Sequence, residues 1–482
     1  MPGASMDEAP GFCSPAAGPN VRCDACVIES SQRMKGGCMS RVKLLAALAL
    51  AASIAVAGCK PRESDVPGFS VPQSPLLAAF ERKVGLIAYV GIDGNVYTVD
   101  QGGQNPTQLT DDAKLEQNDF HYYEFPTWSP DGQSLAFYGI AGTSQADMKA
   151  ALYTTDTEGK TLIETFSSDR HMPIYLSWSP DSTKVSFIAT IVGGSGLVLN
   201  MVPAAGGEAQ VLDVGNPYYW DWLPDSSGVV VHTGGAQSQN GEARLALLTL
   251  GDGVVEDTLA LKPSLFQSPA LSPDGSQLLL AVEDDGGKNT LVLTDRLGSV
   301  QSAVATLNNS VAFAWSPDGK RVAYIESDGS SQLTLGKLIF VALGDEPKTV
   351  AADQEGVVAF FWAPDSKQVA YFVPVQVTAT PEPGSDTAAE DTALFFKMYV
   401  TDADSGVSKL IASFVPTQDY LRTIPYFDQY SRSTTIWSPD SQNLVVSAYA
   451  PDGTPGVFIV PASGVTQPRF LQPGTVAFWS GK

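Results

Sequence analysis

Histidine is scarce in this chain: His121, His171 and His232 are the only three in 482 residues. They stand in no His-Glu-x-x-His or comparable metal-ligand spacing. Cysteine is missing after residue 59, since the five are Cys13, Cys23, Cys26, Cys38 and Cys59. A disulfide framework in the later part of the chain is thereby excluded. Cys23-x-x-Cys26 has the spacing of half a zinc site, but no second pair or nearby histidine completes it. Neither a metal nor a cofactor is expected. Base is short too, with 29 Lys and Arg against 52 Asp and Glu, a formal charge of −23. Such a surface repels phosphate backbones, so nucleic acid is excluded as a partner. There is also no Gly-x-Ser-x-Gly nucleophile elbow, and Gly193-Gly194-Ser195-Gly196 reads as a loop.

What is present points to an all-β chain. Hydrophobic residues make up 44% and charged ones 17%, a globular balance, and the 44 glycines and 33 prolines are scattered as frequent turns would scatter them. The N-terminal part reads as an address. Met39-Ser40-Arg41-Val42-Lys43 is followed by an apolar run from Leu44 to Ala57, the order of a secretory signal. Those 14 residues are shorter than the ~20 that cross a bilayer as a helix.

The run ends in Val56-Ala57-Gly58-Cys59, which resembles the lipobox of bacterial lipoproteins. The resemblance implies a signal peptide at 39–58, lipidation of Cys59 and a flexible tether over 59–80. Two or three acyl chains, at ~0.8 kcal/mol per buried CH₂, would anchor it to a membrane. Lys60 takes the place of the aspartate that retains such lipoproteins at the inner membrane. The expected location is therefore the cell envelope: the periplasmic face of the outer membrane in a diderm, otherwise the extracytoplasmic face of the plasma membrane. Residues 1–38 precede a complete signal and read as an over-extended start.

A repeat occupies residues 81–482. Trp128-Ser129-Pro130-Asp131-Gly132 returns as Trp178-Ser179-Pro180-Asp181, Trp222-Leu223-Pro224-Asp225, Leu271-Ser272-Pro273-Asp274-Gly275, Trp315-Ser316-Pro317-Asp318-Gly319, Trp362-Ala363-Pro364-Asp365 and Trp437-Ser438-Pro439-Asp440. The intervals between successive first residues are 50, 44, 49, 44, 47 and 75. A period of about 40–50 with short apolar runs is that of propeller blades. Proline presets the turn, and aspartate bonds the amides that follow it. An alternating strand comes next, such as Arg321-Val322-Ala323-Tyr324-Ile325, then a third strand and a short fourth. The Trp-Ser-Pro-Asp-Gly turn, the Ile-Ala-Phe/Tyr strand and a later Asp-x-x-Gly turn resemble the repeats of TolB-like propellers over about residues 84–482. This implies one β-propeller of four-stranded blades.

An eighth, truncated repeat, Val476-Ala477-Phe478-Trp479-Ser480-Gly481, ends the chain, while Leu86–Val90 begins the folded part without an inner strand. Pairing the two closes the ring without free edges. Eight blades are expected. Seven would follow if the divergent Trp222 or Leu271 unit merged with a neighbour.

In such a repeat the Ser-Pro-Asp turns share one face, and the connections leading into each blade share the other. Aromatics crowd the second: Phe120, His121, Tyr122, Tyr123 and Phe125; His171 and Tyr175; Tyr218, Tyr219 and Trp220. Two insertions belong there as well. Pro374–Thr392 is rich in Thr, Pro, Glu, Asp and Ala and reads as a mobile loop. Pro416–Ser433 holds Tyr420, Arg422, Tyr426, Phe427, Tyr430 and Arg432. Tyr122, Tyr123, Tyr218, Tyr219, Tyr426, Phe427 and Tyr430 are the candidate binding residues, because rings with polar tips suit a wet binding mouth. The alternative for each ring is plain packing of a blade end. The expected function is non-catalytic: binding of an envelope protein or cell-wall polymer at this face, with no catalytic residues assigned. An envelope lyase or hydrolase working in the channel is the alternative.

Overall fold

The computed structural model describes residues 84–482 apart from residues 105, 145, 192–193, 195, 235–242, 265, 328, 330–334 and 379–391. The signal at 39–58, Cys59 and the tether lie outside the described residues. Eight antiparallel sheets follow one another in a ring.

Blade 1 is built from both ends of the chain. Leu86–Val90, Val96–Asp100 and Thr107–Gln108 are joined on the inside by Val476–Trp479, with Ile87 opposite Trp479 and Val90 opposite Val476. Blade 2 runs from Asp119–Trp128 out to Ile163–Ser168 and has an added strand, Lys114–Glu116. Blades 3 to 7 begin with His171–Trp178, Tyr218–Trp222, Ala270–Leu271, Val311–Trp315 and Ala359–Trp362, each the innermost of four strands. Blade 8 comprises Asn443–Tyr449, Pro455–Pro461 and Arg469–Pro473. Its inner strand is reduced to two bridges, Pro416 with Ala448 and Trp437 with Leu444.

Burial follows position in the blade. The second strand is covered on both faces by neighbouring blades, so Val322, Ala323, Tyr324 and Ile325 are all buried in succession. The fourth strand meets water, and Val255, Glu256, Asp257 and Thr258 are exposed. The core therefore lies between blades. Trp315 of blade 6 packs in one cluster with Leu279, Ala281 and Leu293 of blade 5.

The anchor tryptophans also tie blades together by hydrogen bonds. Nε1 of Trp128 donates to Phe478 O at 3.1 Å, Trp178 to Thr127 O at 3.0 Å, Trp315 to Ala270 O at 3.1 Å and Trp437 to Phe361 O at 2.9 Å. Each acceptor is the residue before the previous blade's anchor. Trp222 uses a relay: it donates to Ser186 Oγ at 2.8 Å, which donates to Ser177 O at 3.0 Å. Trp479 donates to Val84 O. Trp362 differs, being half-buried with an indole N–H that has no acceptor among the described residues.

Below each anchor the Ser-Pro-Asp turn repeats one set of bonds. Ser316 Oγ donates to Asp318 Oδ1 at 2.7 Å, and that carboxylate accepts the Lys320 amide at 3.1 Å. Ser129–Asp131, Ser179–Asp181, Ser272–Asp274 and Ser438–Asp440 do the same. Asp225 and Asp365 accept the second amide beyond, from Ser227 and Lys367. The residue after the aspartate has positive φ in every turn: Gly132 (+71°), Gly275 (+69°) and Gly319 (+69°), but Ser182 (+61°), Ser226 (+59°), Ser366 (+60°) and Ser441 (+61°). A side chain is disfavoured there. Each of these serines accepts the amide of the preceding blade's aspartate, at 3.2 Å from Asp131, 3.0 Å from Asp181, 3.0 Å from Asp318 and 3.0 Å from Asp365. The inter-blade bond offsets the strain.

Both insertions need correction. Pro374–Thr378 and Thr392 are not loop: Gln368–Thr378 and Thr392–Asp402 form one long hairpin, paired from Gln368–Asp402 to Thr378–Thr392. The two valines at 375 and 377 alternate as a strand requires, and only residues 379–391 lie outside the described residues. Pro416–Ser433 is not a mouth loop but contains two short helices, α1 (Gln418–Thr423) and α2 (Phe427–Tyr430), joined by a 3-10 turn, Ile424–Tyr426.

Candidate functional site

The two bridges of blade 8 explain where this helical segment goes. It is inserted inside the innermost strand, so both of its ends are tied to the channel wall and the segment is directed into the channel. Thr417 caps α1 by accepting the Tyr420 amide at 3.3 Å. Helix α1 packs on the inner strand of blade 1 and on Asn443–Tyr449 of blade 8, and α2 on the inner strands of blades 4, 6 and 7. Phe427 meets Phe360 and Phe361 of blade 7 at 5.0 and 6.0 Å between ring centres. Tyr430 donates to Ile174 O of blade 3 at 3.3 Å and crosses Tyr175 edge to face. Tyr420, Ile424, Phe427 and Tyr430 are all buried. The channel is filled by the chain itself.

Two arginines fasten this plug to carboxylates of the wall. Arg422 donates to Glu124 of blade 2 at 2.9 Å and pairs with Asp419 on its own helix. Arg432 reaches Asp221 at 3.2 Å and the carbonyls of Trp222 and Leu271 at 3.3 Å, bridging blades 4 and 5. Burial pushes the Asp221 carboxyl up, and Arg432 opposes it. Beside the plug, a recess is lined by Tyr123, Glu124, Phe125, Asp419, Arg422 and Val476. Phe125 holds a left-handed φ of +53° at a bulge in its strand, and the Arg422 guanidinium lies 6.0 Å from its ring centre.

Strand alternation separates each neighbouring tyrosine pair. Tyr122 and Tyr219 face the channel. Burial raises the Tyr122 phenol, with Glu124, Arg422 and Asp419 as its charged neighbours. Tyr219 stacks on Phe266 at 4.6 Å. Its phenol is raised first by burial, then by the nearby Asp428 carboxyl and Tyr426 hydroxyl. Tyr123 and Tyr218 point the other way and are buried, donating to Asp112 at 2.7 Å and Asp213 at 2.9 Å. Phe427 and Tyr430 are buried in the plug, which leaves Tyr426 as its half-buried ring, 5.3 Å from Tyr175. The structure thus gathers Tyr175, Tyr219, Phe266 and Tyr426 on one side of the channel mouth. Tyr122 stands apart beside Arg422.

Asp428 and Phe266 were not singled out by sequence reasoning, nor were Glu124 and Asp221. The available signal for the acids was the alternation itself, since Glu124 shares a strand face with Tyr122 and Asp221 with Tyr219. Asp428 carried no such signal, because its surroundings come from three blades. Its carboxyl is pushed up to about 6 by burial, against bonds from backbone amides including that of Gln429 at 3.0 Å. Among the described residues, no group of three or more His, Cys, Asp and Glu could hold a metal. No helix among them is long and apolar enough to cross a membrane.

No protein-family model matches the chain, and no curated protein matches it. Solved structures do. The chain is similar to dihydro-heme d1 dehydrogenase NirN in complex with DHE, with 15% identity, 89% of this chain and 81% of that one covered, and a TM-score of 0.50. It is similar to TolB from Acinetobacter baumannii at 19% identity, covering 56% of this chain and 65% of that one, with a TM-score of 0.35. It is similar to oligogalacturonate lyase in complex with manganese at 15% identity, covering 80% and 99%, with a TM-score of 0.46. At these identities the likeness establishes the fold alone: a β-propeller.

Proposed function

We propose that this is a non-catalytic binding propeller of the bacterial cell envelope, anchored through Cys59, that takes an envelope protein or cell-wall polymer at its aromatic mouth. The observation that carries the reading is the plug. Tyr420, Ile424, Phe427 and Tyr430 fill the channel, so the surface left for a ligand is the mouth with its half-buried rings. Loops and strand ends on a rigid scaffold are where binding usually resides. Chemistry inside the channel, the alternative, would first require the helical segment to leave.

Site-specific photo-crosslinking in cells tests this. A photoreactive amino acid at Tyr122 or Tyr426 should trap an envelope component, while one at Asp131 or Asp318 on the Ser-Pro-Asp face should not. Crosslinks arising only from the Ser-Pro-Asp face would overturn the reading. For the anchor, Cys59→Ser should abolish fatty-acid labelling and release the protein from membranes. Equal labelling of both forms would refute lipidation.

A further inference from the structure

The mouth holds one carboxyl whose position packing alone does not explain. Asp428 sits in α2, half-buried, with Tyr219 and Tyr426 beside it. Both arginines of the plug are engaged elsewhere, Arg422 with Glu124 and Asp419, Arg432 with Asp221. Among the described residues Asp428 has no cationic partner, and its only bonds come from backbone amides. Around it are two ring pairs, Tyr175 with Tyr426 at 5.3 Å and Tyr219 with Phe266 at 4.6 Å. These rings come from blades 3 and 4, the connection into blade 5 and the plug. All four remain partly open to solvent.

We propose that Tyr175, Tyr219, Phe266, Tyr426 and Asp428 form a site for an organic cation, the lysine or arginine side chain of a partner polypeptide. The proposal rests on the mouth being the binding surface and names the chemistry it selects. Aromatic faces attract a cation through their quadrupoles, and the attraction grows as water is removed. A carboxylate within the ring cluster supplies the charge that the rings alone lack. Hard metal ions are a poor match, because they need six or more oxygen ligands and this site offers one carboxylate and phenols. The formal charge of −23 steers cations toward the protein without selecting a place. The ring cluster provides the place.

A purely structural Asp428 would have a different signature. Burial without a counter-charge destabilises the ionised acid, so the free protein is better off with a neutral residue there. A partner's cation removes that disadvantage on binding.

Calorimetric titration of the purified protein with acetyl-arginine methylamide and its neutral citrulline counterpart tests the site, with acetyl-lysine methylamide and its Nε-acetylated, neutral form as a second pair. At least one cation should bind ten-fold or more tightly than its neutral counterpart. Asp428→Asn and Tyr219→Leu should each weaken that binding at least ten-fold. Asp285→Asn, an exposed acid elsewhere, should leave it unchanged and so exclude general attraction to an acidic surface. In parallel, Asp428→Asn without ligand should melt at or above the wild-type temperature at pH 8. Equal binding of cation and neutral counterpart, or unaltered binding by Asp428→Asn, overturns the proposal. So does a lower melting temperature of Asp428→Asn, which would mark the acid as structural. Crosslinking from Tyr426 can succeed while this titration fails, so the two readings fall separately.

Discussion

The two faces of the ring are built on opposite plans. On the Ser-Pro-Asp face, seven turns repeat the same tight geometry, and aspartate amides reach serine hydroxyls of the next blade in four places. At the opposite mouth nothing repeats. Tyr122 stands near an arginine, Tyr219 on a phenylalanine and an acid, and a helical segment enters from a single blade. Eight-fold repetition serves closure, since every junction must satisfy the same geometry. Departure from it coincides with the face proposed to bind.

That contrast can be broken hardest at ring closure. Deleting residues 476–482 removes the inner strand of blade 1, with Phe478 and Trp479 fully buried. It also takes away the Phe478 carbonyl that accepts from Trp128. Both edges of the ring would open, so cooperative unfolding of the whole domain should be lost or its midpoint fall by more than about 10 °C, beyond what 1–2 kcal/mol would produce. A truncated protein with an unchanged thermal transition would show that blade 1 holds without its C-terminal strand.

A single anchor should cost less than closure. Trp315→Ala removes a buried indole between blades 5 and 6 and its bond to Ala270 O. The expected loss is about 3–5 kcal/mol by urea denaturation. Trp362→Ala should cost less, since its ring is half-buried and its N–H has no acceptor among the described residues. If the two losses were equal, inter-blade burial would not be the source of anchor stability.

The Ser-Pro-Asp face was legible in the sequence because its causes are local. Proline, aspartate and the residue after it fix a turn within five positions, and the interval between turns counts the blades. The mouth was legible only in part. Adjacent rings such as Tyr218 and Tyr219 are equivalent in composition, and which one looks inward depends on strand register. The plug was the least legible. Nothing within residues 418–432 states that its host strand is interrupted, and its partners Glu124, Ile174, Asp221 and Phe360 lie in four different blades. Segments of six and four residues are too short to persist as helices without such contacts.

Asp428 gives a smaller effect with a defined pH dependence. Its carboxyl lies at about 6 in the fold against an ordinary value of 3.8, so the native state holds the proton more tightly than the unfolded chain. Stability from this group is fully present below 3.8, declines as pH rises from there to about 6, and is flat above. Asparagine cannot ionise and escapes the decline. Asp428→Asn should therefore match the wild type near pH 4 and exceed it near pH 8, by on the order of 2 kcal/mol given partial exposure. Denaturation midpoints at the two pH values measure this. A constant difference between them would show that the acid is not perturbed.

The finest comparison is within a single turn. Ser366 holds φ of +60° and accepts the Asp318 amide at 3.0 Å. Ser366→Ala keeps the unfavourable backbone and loses the acceptor, leaving that amide without its inter-blade bond, and should cost about 1–2 kcal/mol. Ser366→Gly loses the same bond but relieves the left-handed strain, which offsets about 1 kcal/mol of the loss. Glycine should therefore be the milder change, within about 1 kcal/mol of wild type. Gly132, Gly275 and Gly319 already occupy the equivalent place in three other turns. If alanine were the milder of the two, the left-handed backbone would carry no strain at this position; if neither variant lost stability, the bond to the neighbouring blade would contribute nothing, and the repeated contacts of this face would be a consequence of ring closure and not a contributor to it.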